Sequence, residues 1–240
     1  MSESPSWSDI ADWYDQLIRD GSGPHETALA CTLRLLGDVR GQSVLDLACG
    51  QGLAARAIAR AGATSVVGVD SSSRMLEHAR RHGESDVLRY VQDDAQHLAQ
   101  FGDERFDAVT CQLGLMDIPD LASTLAAVHR VLRPGGRFIF VIGHPCFLTP
   151  DAETLTAGGR IGRWIPDYFD ERFWRSTNPE GVRRAGNHHR TLSTYLNQLT
   201  NAGLVLETVE EPHPSELLER QQPEYSAVPI FLAARTRKGP

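Results

Sequence analysis

An apolar run at Val44-Leu45-Asp46-Leu47 carries a carboxylate, and a turn of small residues follows it, Ala48-Cys49-Gly50-Gln51-Gly52, before a helical pattern begins. A second apolar run, Ser65-Val66-Val67-Gly68-Val69-Asp70, also ends in an acid, 18 residues beyond Gly52. Small residues at a strand-to-helix turn let the backbone approach a ligand, and an acid closing the next strand can accept hydrogen bonds from both ribose hydroxyls of a nucleoside. Alone, the first turn is also readable as a plain connection in which Gly50 and Gly52 only permit positive φ. The second acid at this distance makes it a cradle for an adenosine-like group.

Such residues need a scaffold that delivers them to one edge, and the chain alternates strand and helix signals. The pattern predicts strands over 43–47, 65–70, 87–92, 106–112 and 137–142, with helices over 53–61, 73–81 and 121–132 between them, the rhythm of a parallel α/β sheet. Two helices, over 7–19 and 25–36, precede it. A helix over 192–202 and strands over 204–209 and 228–235 follow. Regular alternation fails from His144 to His189, where Pro145, Pro150, Pro166 and Pro179 sit among Trp164, Tyr168, Phe169, Phe173 and Trp174. A structureless loop of that length is uncommon in a compact domain, so the stretch reads as an inserted cap rich in aromatics.

Taken in order, these pieces resemble the class I S-adenosylmethionine-dependent methyltransferases from about Val44 to Arg235. Five stretches carry the resemblance. Asp46 to Gly52 is similar to the family's acidic, glycine-rich loop, with Ala48 in place of its first glycine. Asp70 follows with Ser71 behind it, then Gln92-Asp93-Asp94-Ala95. Phe106-Asp107-Ala108-Val109-Thr110-Cys111-Gln112-Leu113-Gly114-Leu115 resembles the fourth strand and its loop, and Leu132-Arg133-Pro134-Gly135-Gly136 the turn before the fifth. The loop differs from the G-x-G-x-x-G of dinucleotide-dependent dehydrogenases.

The resemblance implies a Rossmann-like, mostly parallel sheet of seven strands with an antiparallel last strand and helices on both faces. It implies one domain over 1–240: an N-terminal helical cover (1–40), a cofactor-binding core (41–143), an inserted substrate cap (144–190), and a C-terminal helix and hairpin (191–240). S-adenosylmethionine would be the cofactor and S-adenosylhomocysteine the product. Asp46, Ala48, Gly50 and Gly52 would wrap the methionine end, with the acid near its amino group, and Tyr14 would meet its carboxylate. Asp70 and Ser71 would take the ribose, Met75 and Ala95 the adenine ring, and Asp94, or else Asp93, the adenine amino group. Cys111, Gln112 and Leu113 would border the reacting methyl.

A sulfonium is already an activated methyl donor, so alignment and exclusion of water supply most of the catalysis, and no covalent nucleophile is needed. A phenol, hydroxyl or amine acceptor gains from a base, worth about 10² to 10⁴ fold. Imidazoles titrate in the right range, and His144, directly after the fifth strand, with His188 and His189, before the 192–202 helix, are the candidates. His144 is equally readable as a histidine bonded to backbone at a turn, and His188 and His189 as helix-cap or solvated residues. The reaction implied is methyl transfer to an O, N or C atom of a small organic acceptor, in the setting of specialised metabolism. The competing readings are a macromolecular methyltransferase and a protein that binds S-adenosylmethionine without methylating.

Bulk properties narrow these. With 24 Lys and Arg against 31 Asp and Glu, a formal charge of −7, the chain lacks the basic field that nucleic-acid binding draws on. Arg183-Arg184 with His188-His189-Arg190 form a local basic cluster, readable as an anion contact or a solvated loop. Four scattered cysteines without CxxC spacing indicate neither a zinc site nor a disulfide framework, so no metal is expected. The sequence has no apolar span long enough for a membrane and no secretory pattern at its start, and a cytoplasmic protein is expected.

Overall fold

The sheet is built from seven strands in the order β10-β11-β5-β4-β1-β2-β3, in a computed structural model that describes residues 5–239. Strands β1 (Ser43–Leu47), β2 (Ser65–Asp70), β3 (Leu88–Gln92), β4 (Phe106–Gln112) and β5 (Leu132–Gly143) run parallel, as the βαβ rhythm required. β11 (Phe231–Lys238) then inserts antiparallel between β5 and β10 (Leu204–Glu210). Alternate residues of the central strands serve opposite faces. Val44 and Val66 pack under α2 (Gly23–Leu36), α3 (Leu53–Arg60) and α4 (Ser73–Arg81). Leu45, Leu47, Val67 and Val69 pack under α5 (Leu121–Val131) and α6 (Leu192–Asn201).

Four of the helix starts among the described residues are set by side-chain caps. Ser72, Asp120, Thr191 and Ser215 each accept the backbone N–H three residues on, at 3.0–3.2 Å. The cap on Ser72 fixes α4 directly behind Asp70, the point at which β2 delivers its acid to the sheet edge.

Four local differences from the expected elements have identifiable causes. The first helix, α1, covers Ala11–Arg19, because Ser6 and Asp9 hold the preceding residues in a turn closed at 2.6–2.8 Å. β5 begins already at Leu132: Phe106 pairs with Leu132 and Ala108 with Arg137, so Arg133-Pro134-Gly135-Gly136 forms a bulge inside the strand. The expected terminal hairpin instead carries a helix, α7 (Glu216–Gln221), whose Leu218 is fully buried against α2. The stretch between β5 and α6 holds two small ribbons, β6 (Glu153–Ala157) with β7 (Arg160–Trp164), and β8 (Phe173–Trp174) with β9 (Asn187–His188). Its aromatics turn largely outward, with Phe169 87%, Trp164 50% and Phe173 45% exposed.

Candidate active site

Between β4 and β1 the chain reverses its direction of travel across the sheet, and in such sheets ligands bind outside the strand ends at that point. Two adjoining cavities lie there. The first is lined by Tyr14, His25, Asp46, Ala48, Gly50, Gln51, Met75, Gln112, Leu113 and their neighbours. The second is lined by Val69, Asp93, Asp94, Ala95, Gln96 and Pro119. Ala48, Asp70, Ser71, Asp117 and Ile118 line both.

Each strand contributes its C-terminal end. Asp46 is buried on β1, accepting the Thr110 hydroxyl at 2.8 Å and the backbone N–H of Ala55, and burial nevertheless raises its carboxyl to about 7. Asp70, at the end of β2, accepts the N–H groups of Gly50 and Ser72, both at 2.9 Å, and burial raises its carboxyl too. The loop between them is tightly wound: Gly50 (φ 53°), Gly52 (φ 82°) and also Ala48 (φ 51°) take left-handed backbone. Ala48 occupies a glycine-like position, and its methyl has room because residue 114 is a glycine, where an added Cβ would stand 2.6 Å from that methyl. Gly52 meets a different constraint. A Cβ there would lie 2.3 Å from the Tyr90 hydroxyl, so the tyrosine on β3 packs directly against the loop.

The sequence-derived residues divide cleanly. Tyr14, Asp46, Ala48, Gly50, Asp70, Ser71, Met75, Asp94, Ala95, Gln112 and Leu113 line one or both cavities. Gly52 and Cys111 stand behind the lining, Gly52 as the left-handed start of α3 and Cys111 fully buried on β4. The three histidines are not part of it. His144 accepts the Cys146 N–H on Nδ1 at 3.2 Å and places Nε2 2.8 Å from Glu211 Oε1. His189 donates from Nε2 to the Tyr168 carbonyl at 2.8 Å. His188 lies against the Phe173 ring, centroids 4.9 Å apart. Trp164, Tyr168, Phe169, Phe173 and Trp174, the aromatics of the inserted segment, are likewise absent from both linings.

Sequence reasoning missed two groups the fold brings in. His25 of α2 places Nε2 2.8 Å from the Tyr14 hydroxyl and Nδ1 2.7 Å from Ser22 Oγ. Both stay neutral at pH 7: burial, with Arg183 adding to it, lowers His25 to about 4, and burial with Asp117 and Asp70 raises Tyr14. Asp117, in the turn after β4, has a side chain only 13% exposed and, among the described residues, accepts from Arg183 Nη1 alone, at 3.4 Å. Its signal was present in the sequence as an acid shortly after Gln112-Leu113-Gly114.

Residues 45–140 match the methyltransferase domain family. Over nearly its whole length the chain is similar to the crystal structure of an S-adenosylmethionine-dependent methyltransferase from Mesorhizobium loti: 31% identity, TM-score 0.73, 91% of this chain and 99% of that one covered. The chain belongs to the S-adenosylmethionine-dependent methyltransferases. Within this family it is also 44% identical over 107 residues to a ubiquinone biosynthesis O-methyltransferase of Alkalilimnicola ehrlichii, covering 44% of this chain and 43% of that protein. A demethylmenaquinone methyltransferase of Clavibacter sepedonicus is 41% identical over 128 residues, covering 53% of this chain and 50% of that protein. The chain thus spans half or less of the length of the curated relatives it matches.

The lining fits the family's cationic cofactor. Asp46, Asp70 and Asp117 face the first cavity, Asp93 and Asp94 the second, and no lysine or arginine lines either. Gln112 Oε1 is buried without a donor among the described residues, an acceptor left open at the wall. No helix among the described residues is long and apolar enough to cross a membrane, and no cluster of three or more His, Cys, Asp or Glu among them could hold a metal ion.

Proposed function

We propose that the chain transfers a methyl group from S-adenosylmethionine to an O, N or C atom of a small organic acceptor. The observation that carries this reading is the pair of joined cavities at the topological switch, where the ends of β1, β2, β3 and β4 each supply the residue the family's pattern calls for. When bound, the cofactor supplies an activated methyl group on a positively charged sulfur. The chain's own residues do the rest. Asp70 and Ser71 hold the ribose, Asp94 and the Ala95 backbone hold the adenine beside Met75, and Asp46, the Ala48 to Gly50 backbone and Tyr14 hold the methionine end. Gln112 and Leu113 close the wall beside the reacting carbon. With α1 across the opening, these groups exclude water and align donor with acceptor, which is where most of the rate comes from in such displacements.

The relatives named above support a small acceptor, in one case for oxygen methylation. The acidic cavities, whose linings hold no lysine or arginine among the described residues, support it as well. In our reading the segment between β5 and α6 covers the acceptor side, with Arg184 resting over the Trp13 ring of α1 at 3.9 Å. Four free cysteines agree with a cytoplasmic setting. Calorimetric titration with S-adenosylmethionine and S-adenosylhomocysteine, followed by an acceptor panel of phenols, catechols, amines and quinols, tests the proposal. Binding of both with methylation of one class is the expected result. Absence of binding to either overturns the reading, and binding without transfer to any class makes the chain a non-methylating binder.

A further inference from the structure

Resting on that reading, we propose that Asp117 is the proton acceptor of the transfer, taking the proton of an acceptor hydroxyl or amine on Oδ2, so that the chain methylates O–H or N–H groups rather than carboxylates. In this reading the second cavity takes the adenine edge, at Asp94 and Ala95, and the first takes the methionine end and, beside Gln112 and Leu113, the reacting carbon, close to where the two cavities join. Five residues line both: Ala48, Asp70, Ser71, Asp117 and Ile118. Only two of them are acids. Asp70 is engaged by two backbone N–H groups, at the position suited to the ribose. Asp117 has a single partner, Arg183 Nη1 on Oδ1 at 3.4 Å, and no donor among the described residues reaches Oδ2.

The turn that carries Asp117 is rigidly held. Arg190 donates to the carbonyls of Leu115, Ile118 and Pro119 at 3.2, 2.6 and 2.7 Å, on both sides of the acid. Burial raises the Asp117 carboxyl to about 7, opposed by Arg183 and Arg190 and reinforced by Asp70, the range a general base uses at neutral pH. The other groups facing it, Tyr14 of α1, Tyr195 of α6 and Cys111 of β4, are all raised by burial and stay protonated. His25, lowered to about 4, is too weak a base to compete.

The step balances. The acceptor O–H or N–H bond breaks as its proton passes to Oδ2, the electron pair left on the heteroatom forms the bond to the methyl carbon, and the carbon–sulfur pair stays on sulfur. A carboxylate and a sulfonium become a carboxylic acid and a thioether. The proton leaves later to water. A carboxylate acceptor has no proton to give and would bring a further anion beside Asp46, Asp70 and Asp117.

The test uses sinefungin, an S-adenosylmethionine analogue carrying an amine at the methyl position, against S-adenosylhomocysteine, which carries nothing there. If Asp117 faces the reacting centre, Asp117→Asn weakens sinefungin by about 10-fold or more, the effect of losing a charged hydrogen-bond partner, and S-adenosylhomocysteine by less than about threefold. In the unaltered protein, the preference for sinefungin over S-adenosylhomocysteine falls as pH drops from 8 to 6 and Asp117 takes up its proton; Asp46 acts on both ligands and cancels in the ratio. A ratio flat with pH, or an equal loss for both ligands in Asp117→Asn, overturns the assignment. Failure of S-adenosylhomocysteine to bind the unaltered protein would instead sink the methyltransferase reading itself. On an acceptor from the panel, Asp117→Asn lowers kcat by about 10² to 10⁴ fold, and an unchanged kcat overturns the role.

Discussion

Replacing Gly52 with alanine tests whether the cofactor loop is shaped by its own backbone and by the strand beneath it. Gly52 has φ 82° and ψ 22°, the left-handed region, where an L side chain costs about 1 kcal/mol or slightly more. The added Cβ would also lie 2.3, 2.7 and 2.8 Å from Tyr90 Oη, Cζ and Cε1. No real contact is that short, so the ring must move. It cannot move freely, because on the other side an added Cβ at Gly68 would lie 2.6 Å from its Cδ1, which places the ring in a slot between two glycines. Overpacking of this kind costs about 1–3 kcal/mol, so Gly52→Ala should lose about 2–4 kcal/mol in all.

Equilibrium urea unfolding at pH 7 measures that loss, and a double-mutant cycle separates its parts. In a Tyr90→Leu background the slot is partly vacated. Gly52→Ala should there cost only the backbone strain, about 1 kcal/mol, leaving a coupling of about 1–3 kcal/mol between the two positions. A loss below about 0.5 kcal/mol, under even the backbone strain, or a coupling of zero, would refute the argument that Tyr90 makes glycine necessary at 52. It would leave the cofactor alone to explain the residue.

Three further outcomes follow from the same geometry. Asp70→Ala should lower S-adenosylhomocysteine affinity by about 1–3 kcal/mol, or about 5- to 150-fold, in calorimetry, and unchanged affinity would refute the ribose assignment. Arg190→Ala should cost about 2–3 kcal/mol by leaving carbonyls of Leu115, Ile118 and Pro119 unpaired, and Arg190→Lys should recover less than half, since one ammonium does not span the fork; full recovery by lysine would count against the argument. Asp46 binds its proton more tightly folded, at about 7, than unfolded, near 3.8, so the native state holds the extra proton between those values. Stability of the ligand-free protein should therefore fall as pH rises through that window, at up to about 1.4 kcal/mol per pH unit from this group. Asp46→Asn removes its share, while Asp117 keeps a slope of the same sign. Urea midpoints between pH 4.5 and 8 would detect it, and an unaltered slope in Asp46→Asn would contradict the burial argument.

What the sequence made legible is what short chain segments determine. Asp46 and Asp70 reach the sheet edge because each belongs to an apolar run followed by a turn and a helix, all within about ten residues. The same locality explains the five parallel strands. Asp117 and His25 acquire their setting from elsewhere: the acid pairs with Arg183, 66 residues away, and the imidazole bonds to Tyr14 on a different helix. His144 shows the converse. It follows a strand at the right edge, as a base should, yet its ring is occupied by the Cys146 N–H, the backbone bond at a turn that the sequence equally allowed, and by Glu211, a partner that no spacing rule connects to it.

The basic stretch at 183–190 shows why composition fails in such places. Arginines in a loop suggest either an anion site or a solvated surface, and these are neither. Arg183 pairs with Asp117, Arg184 lies on Trp13, and Arg190 is buried, donating to three carbonyls of the turn after β4. A guanidinium has five donors in a rigid fork and keeps its charge when buried, so it can serve as a brace as readily as it can bind an anion. Here the acids and carbonyls that partner these arginines lie in the turn beside the cavity. The segment between β5 and α6 therefore acts on the site through two arginines, Arg183 and Arg190, that fix the position of one carboxylate, while Arg184 rests on α1 and most of the segment's aromatic residues turn outward.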